Sequence, residues 1–218
     1  MTAPEHVRRE SRRSDGYRLL SAFFHPPDRD ELLRDRTCLE LAEVLQDLHP
    51  DTGAAAHAEA LHGALADVDA LDLRIDHAAL FVGPFALRAP PYGSIYLEGS
   101  HTLIGDTTLA AAARYAMAGL TVTLHEPADH IAVELEFMHY LAALGAKALE
   151  RGDRDEAARL AGEARGFLTE HVGAWAPRFC EAVKQGAETR FYRTLADCLQ
   201  AFLAAEVSPG AYTAATTF

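Results

Sequence analysis

Apolar side chains recur three and four positions apart along nearly the whole chain, and long runs of β-branched residues are missing. That spacing is the signature of amphipathic α-helices, each with one face to bury. It predicts an all-α fold, a single compact multi-helix bundle. Of the 218 residues, 49% are hydrophobic and 24% charged. A chain of that balance can bury a core, so disorder is excluded as its main state.

The punctuation sets the helix boundaries. A first helix runs from about residue 5 to Phe24, with Tyr17, Leu20, Phe23 and Phe24 on its apolar face. Pro26-Pro27 stops it, because proline lacks the helical donor and disfavours a helical residue before it. Asp28 can cap a second helix through about Leu48. Gly53 opens a third through about Val68, and a fourth covers about Asp72 to Val82, ending at Gly83-Pro84. Asp106 caps a helix to about Ala118, and residues 120–124 read as a short extended link. Pro127, a good first-turn residue, opens a helix to about Arg151. Asp153 to Ala174 is helical, Pro177 interrupts the pattern, Phe179 to Lys184 continues it, and a last helix spans about Ala187 to Glu206. Residues 1–206 thus read as one helical domain and 207–218 as a loose tail.

Charge and motif content remove several function classes. The net charge is −12, which repels phosphate backbones and attracts basic partners. No run approaches the ~20 apolar residues of a membrane span. Arg8-Arg9 and Arg12-Arg13 imitate an export signal, but Asp15 and Arg18 interrupt the approach and His25-Pro26-Pro27 ends the apolar stretch early. Cys38, Cys180 and Cys198 form no CxxC pair and read as small buried hydrophobes, which suits a reducing cytoplasm. His125 and His130 are five apart with Pro127 between them, so their rings do not converge as a zincin pair would. His130 and Glu134 are four apart, yet two ligands do not make a metal site. There is no nucleophile elbow, P-loop or dinucleotide fingerprint. Neither catalytic residues, metal nor cofactor is expected.

Two segments carry the functional signal. In residues 84–104 prolines, glycines and aromatics interleave, including Pro90-Pro91-Tyr92-Gly93-Ser94-Ile95-Tyr96. So long a loop in a compact domain is either functional or a surface connection whose aromatics tuck into the core. The second segment is Glu126-Pro127-Ala128-Asp129-His130-Ile131-Ala132-Val133-Glu134-Leu135-Glu136-Phe137. Helical spacing puts His130, Glu134, Phe137 and Leu141 on one stripe, with Asp129 in the first turn where the helix dipole favours negative charge. Ordinary capping could explain Asp129 alone. Glu126, Asp129, His130 and Glu134 crowded at one helix entrance, beside apolar groups, suit a peptide whose arginines precede an apolar segment.

Together these segments resemble the TorD/DmsD family of cytoplasmic molybdoenzyme maturation chaperones. The resemblance rests on Tyr17-Arg18-Leu19-Leu20-Ser21-Ala22-Phe23-Phe24-His25-Pro26-Pro27, Leu80-Phe81-Val82-Gly83-Pro84, the Ala89 to Glu98 stretch, and the Glu-Pro-x-Asp-His motif with the Glu134 to Phe137 segment. These occur in the family's order over roughly residues 15–145, while the second half matches only in being helical. The resemblance implies an all-α fold without catalysis. It implies as partners the apo form of a molybdopterin-dependent oxidoreductase catalytic subunit and its twin-arginine signal peptide, held for cofactor insertion before export. Nucleic acid and stable membrane insertion are not expected. The family's peptide-binding region falls on Leu80, Phe81, Pro91, Tyr92, Gly93, Ser94, Tyr96, Asp129 and His130; in the mechanism expected from it, Asp129, with Glu126, Glu98 or Glu134 as helpers, meets the leader's arginines, and His130 tunes this near neutral pH. Tyr92 and Tyr96 stand where relatives often carry tryptophan, and His77 where an aromatic is common, which implies a more polar groove. Three rivals differ in class: a NarJ-like assembly factor for a nitrate reductase-type enzyme, a small metal-dependent nucleotide hydrolase, and a structural subunit that stays with its partner.

Overall fold

A computed structural model describes residues 2–34, 36–83, 86–99, 105–120, 126–208 and 211–212. The described residues form eleven α-helices and one π-turn, with a single isolated β-bridge between Tyr92 and His130. The all-α expectation holds. The most extensive helix pairing sets α1 (Ala3–Ala22) against α8 (Ile131–Glu150). Both helices carry the apolar stripe their spacing predicts, with Tyr17, Leu19 and Leu20 joining Leu135, Met138 and the rest of a continuous core. The Ser21 hydroxyl, buried in that seam, donates to the Ala132 carbonyl at 3.0 Å.

The helix expected over 28–48 is two, α2 (Arg29–Arg34) and α3 (Thr37–Leu48). The chain turns at Arg36, in the left-handed region at φ 55°. Arg29 explains the turn, because it donates to the carbonyls of Leu65 (3.2 Å) and Ala66 (2.9 Å) in the last turn of α4 (Ala54–Asp67). Those carbonyls lack helical partners of their own, so α2 is pulled onto them and out of line with α3. Next, α5 (Ala70–His77) starts before the expected Asp72, because Asp69 accepts from the Leu71 N–H at 2.7 Å. A π-turn, Ala78–Val82, follows, and Gly83 leaves it at φ 98°. The returning chain satisfies the carbonyls that this turn frees, with Arg88 N–H on Ala79 and Ala89 N–H on Leu80.

The stretch read as one long loop contains a short helix, α6 (Gly93–Glu98). Asp106 does not cap α7 (Asp106–Met117) but is its first residue, after Gly105. Further on, α9 (Arg154–Glu170) and α10 (Val172–Gly186) meet at His171, not at Pro177. A side chain on Gly173 would lie 2.5 Å from the Leu168 carbonyl oxygen, so the sharp turn there needs a glycine. Pro177 sits inside α10 on its exposed face, where water can reach the carbonyl its missing N–H leaves free. Finally, α11 (Arg190–Val207) is entered through Asp76, which accepts from the Thr189 N–H (2.8 Å) and hydroxyl (2.7 Å).

The tail expected to be loose from residue 207 is anchored at its start. Ala211 and Tyr212 are buried, and the Arg13 guanidinium donates to the Ala211 carbonyl (2.7 Å) and lies 4.4 Å from the Tyr212 ring centre. Arg13 also pairs with Glu206 at 2.8 Å, both side chains wholly buried. Of the expected link over 120–124, only Leu120 is among the described residues. Within 84–104, residues 84–85 and 100–104 lie outside them, as do 209–210 and 213–218 of the tail.

Candidate functional site

The chain between the π-turn and α6 runs antiparallel to the entrance of α8. The Gly93 N–H donates to the Asp129 carbonyl and the Ile131 N–H to the Pro91 carbonyl, both at 2.9 Å. Helix starts carry N–H groups with no partner of their own, so the loop supplies one for α8. α8 begins at Ile131 with His130 as its cap, whose Nδ1 accepts from the Ala132 N–H at 3.2 Å. Pro127 therefore precedes the helix instead of opening it. Asp129 is not in the first turn either. Its Oδ2 accepts from the Ser94 N–H at 2.8 Å, so its charge serves the start of α6.

The bridge seats Tyr92 edge-on against His130, ring centres 5.4 Å apart, and the Tyr92 hydroxyl donates to the exposed Glu126 at 3.2 Å. Burial, then Glu126, pushes the Tyr92 hydroxyl up to about 12. Beneath the loop, Tyr96 stacks on Trp175 with ring centres 5.7 Å apart and planes within 14°. A side chain on Gly93 would lie 2.9 Å from Trp175 Nε1, so the close approach of α6 requires that glycine. Trp175 Nε1 donates to Glu134 Oε2 at 2.8 Å. Glu134 is wholly buried, and burial holds its carboxyl well above the usual range.

The structure thus brings Pro91, Tyr92, Gly93, Ser94, Tyr96, Glu126, Asp129, His130 and Glu134 to one place. Leu80 and Phe81 are elsewhere in kind. Both are buried, and Phe81 packs on Phe24, His77, Phe179 and Tyr192 within the core. In this closed arrangement they offer no surface. His130 does not titrate near neutral pH, since burial pushes it down to about 4. Nor do His130 and Glu134 aim at a common ion, as one caps Ala132 and the other binds Trp175. Among the described residues no three His, Cys, Asp or Glu side chains could hold a metal.

Two partners escaped the sequence. Trp175 and His171 sit one helical turn apart at the start of α10, in the half that carried only a helical signal. The lone tryptophan four residues after a histidine was the available clue. At the outer rim, His25 lies 3.3 Å from Glu136, and that hydrogen bond raises His25. A cavity of about 420 Å³ opens beside His25, lined by Pro26, Pro27, Leu32, Asp28 and Glu31 among others.

The family model named nitrate reductase delta subunit matches residues 47–181. This chain belongs to that family. Relatives of this delta-subunit family member include the Tat proofreading chaperone DmsD of Salmonella typhi, 32% identical over 127 residues. That match covers 57% of this chain and 55% of the relative, so the chain spans about half the length of the DmsD proteins it matches. The chaperone protein TorD of Vibrio vulnificus (strain YJ016) is 29% identical over 198 residues, 88% of this chain and 91% of the relative. A crystal structure described as a redox enzyme maturation protein, from Archaeoglobus fulgidus, shares the fold. Its TM-score is 0.55 at 23% identity, over 88% of this chain and 93% of that one. The TorD/DmsD resemblance read from the motifs is borne out, and these named relatives are chaperones, not enzymes. No helix among the described residues is long and apolar enough to cross a membrane.

Proposed function

We propose that this chain is a cytoplasmic, system-specific chaperone. It binds the twin-arginine signal peptide and apo form of a molybdopterin-dependent oxidoreductase and holds it for cofactor insertion before export. The mouth between the 91–98 segment and the α8 entrance receives the leader. One observation carries this reading: a loop strapped by backbone pairing to an acidic helix entrance, with Tyr92 and Glu126 at the rim and Asp129 behind them. Arginine pairs with carboxylate through two parallel hydrogen bonds, and an apolar segment beyond it can lie along a groove. The cavity beside His25, with both apolar and acidic walls, extends that surface across the end of α1. Relatives named as proofreading and TorD chaperones support the same role.

Calorimetry with a synthetic leader tests it. The chain should bind a peptide carrying two arginines ahead of an apolar segment, one to one. A heat no larger than that of the same residues in scrambled order would end the proposal. The name of the family model favours one second reading, an assembly factor for a nitrate reductase-type enzyme. Co-purification with the client, with and without its leader, separates the two. Capture that survives loss of the leader points to docking on the client's body.

A further inference from the structure

Among the described residues, four buried side chains beneath α6 each leave a polar atom without a hydrogen-bond partner, Ser94 Oγ, Asp129 Oδ1, Glu134 Oε1 and His171 Nδ1, and the Tyr96 hydroxyl of α6 is likewise unpartnered. The four belong to one neighbourhood. Ser94 is bonded through its N–H to Asp129, His171 Nδ1 lies 4.0 Å from Glu134 Oε1, and the charge of Asp129 reaches both Glu134 and His171. All four side chains are less than a tenth exposed. Among the described residues neither carboxylate is paired with a lysine or arginine. Arg114, whose charge reaches His171, is tied to Glu170. Every one of the four can accept a hydrogen bond, and Asp129 Oδ1 and Glu134 Oε1 stand without a donor. Without a paired cation burial drives the Glu134 carboxyl toward its neutral form, and a cation seated beside it would remove that cost.

The roof of this cluster is α6. α6 is only six residues long, ends at Gly99 with φ 61°, and is held to α8 by the Gly93, Ile131 and Ser94 N–H bonds. Its other contacts include the Tyr96–Trp175 stack, the Tyr96 ring edge-on to Phe179, the Gly93 backbone against the Trp175 ring, an Arg178 hydrogen bond to the Tyr96 carbonyl and the Thr107 N–H on Glu98. Lifting α6 would open a path to Asp129 and Glu134 and separate the stacked rings of Tyr96 and Trp175.

We propose that this buried cluster of acceptors becomes, when α6 lifts, an inner site for one guanidinium group of the bound leader, lined by Ser94, Asp129, Glu134, His171 and Trp175. The inference rests on the reading that the mouth holds an arginine-bearing leader. It adds residues from α10 and a specificity for arginine over lysine. A guanidinium presents five N–H donors in a flat fork, which matches several acceptors around two carboxylates and lies flat on an indole ring. An ammonium group has three donors on a compact head and cannot span them.

Trp175 is the one tryptophan of the chain, so its fluorescence reads this site directly. The full chain is titrated with a twin-arginine leader peptide and its twin-lysine counterpart, by calorimetry and Trp175 emission together. Expected are a shifted Trp175 emission on binding the arginine peptide and at least tenfold weaker binding of the lysine peptide. Glu134→Gln should lose at least tenfold for the arginine peptide and most of the arginine–lysine discrimination, with a melting temperature no lower than the parent. Should Glu134→Gln not fold, His171→Phe, which keeps the stack on Phe167, must show the lost discrimination instead. Leader binding with unchanged Trp175 emission, or variants that keep full discrimination, overturns the inner site and leaves the chaperone reading standing. No binding of either peptide to the parent chain overturns both.

Discussion

Glu206 shows what one buried carboxylate does in this protein. Burial alone would raise its carboxyl, but Arg13 and then His49 pull it down to about 2. It accepts from Arg13 at 2.8 Å, and His49 Nε2 and the Tyr212 hydroxyl lie 2.8 and 3.0 Å from it. A carboxyl lowered by folding stabilises fully above its unfolded value of about 4.3, and that contribution is lost as pH falls toward 2. Glu206→Gln should therefore lower unfolding free energy at pH 7 by about 3–5 kcal/mol, because it leaves Arg13 buried without its partner. It should also flatten the acid limb of the stability curve between about pH 4.5 and pH 2. Urea denaturation across that range measures both. Glu134 has the opposite sign. Its carboxyl is raised by folding, so stability falls as pH rises above the unfolded value. Glu134→Gln should match the parent near pH 4 and exceed it by about 1 kcal/mol or more at pH 7 to 8, read from the same denaturation series.

At the scale of elements, Asp129 is the joint between two helices. It stands at the entrance of α8 but caps the start of α6. Removing a cap of this kind costs about 0.5–2 kcal/mol. In Asp129→Ala the backbone N–H groups of Gly93 and Ser94 should exchange with solvent several-fold to about thirtyfold faster, a factor that matches that cost, while core amides of α8 and α11 change little. Unchanged exchange at Ser94 would mean the strap holds without Asp129. Leader affinity should fall in the same variant by more than its stability does.

The same residues mark how far the sequence could be read. Helix existence was legible because the 3.6-residue period is local. The break between α2 and α3 was not, since it depends on Arg29 reaching carbonyls 36 and 37 positions away. The turn at His171 was masked by Pro177, the louder local signal, while the constraint was the fit of Gly173 against Leu168. For the site, the motifs placed Tyr92 beside His130 and Asp129 correctly. The use of Asp129 was not readable, because its partner Ser94 lies 35 residues upstream in a helix the loop pattern hid. Nor was the burial of Leu80 and Phe81, since three of the four rings around Phe81, those of Phe24, Phe179 and Tyr192, come from distant stretches of the chain.

For the whole molecule, net charge governs the encounter with a basic partner. A chain at −12 attracts an arginine-bearing leader over several ångströms, and salt screens that attraction within about 8 Å at 0.15 M. Association with a twin-arginine peptide should slow several-fold between about 50 mM and 300 mM sodium chloride, with smaller change in dissociation. Glu126, exposed at the rim and bonded to Tyr92, is the charge to remove. Glu126→Gln should slow association and weaken its salt dependence without altering the melting temperature, as stopped-flow measurements would show.

Arg13, in the middle of α1, finds two of its buried acceptors at Glu206 and Ala211, more than 190 positions away. During synthesis almost two hundred residues must leave the ribosome before that guanidinium meets either of them. Helix α1 can lie against α8 earlier, but its buried cation waits for the end of α11. The seam between α1 and α11 therefore locks only after α11 has been made, and a chain cut short before Glu206 lacks the clasp.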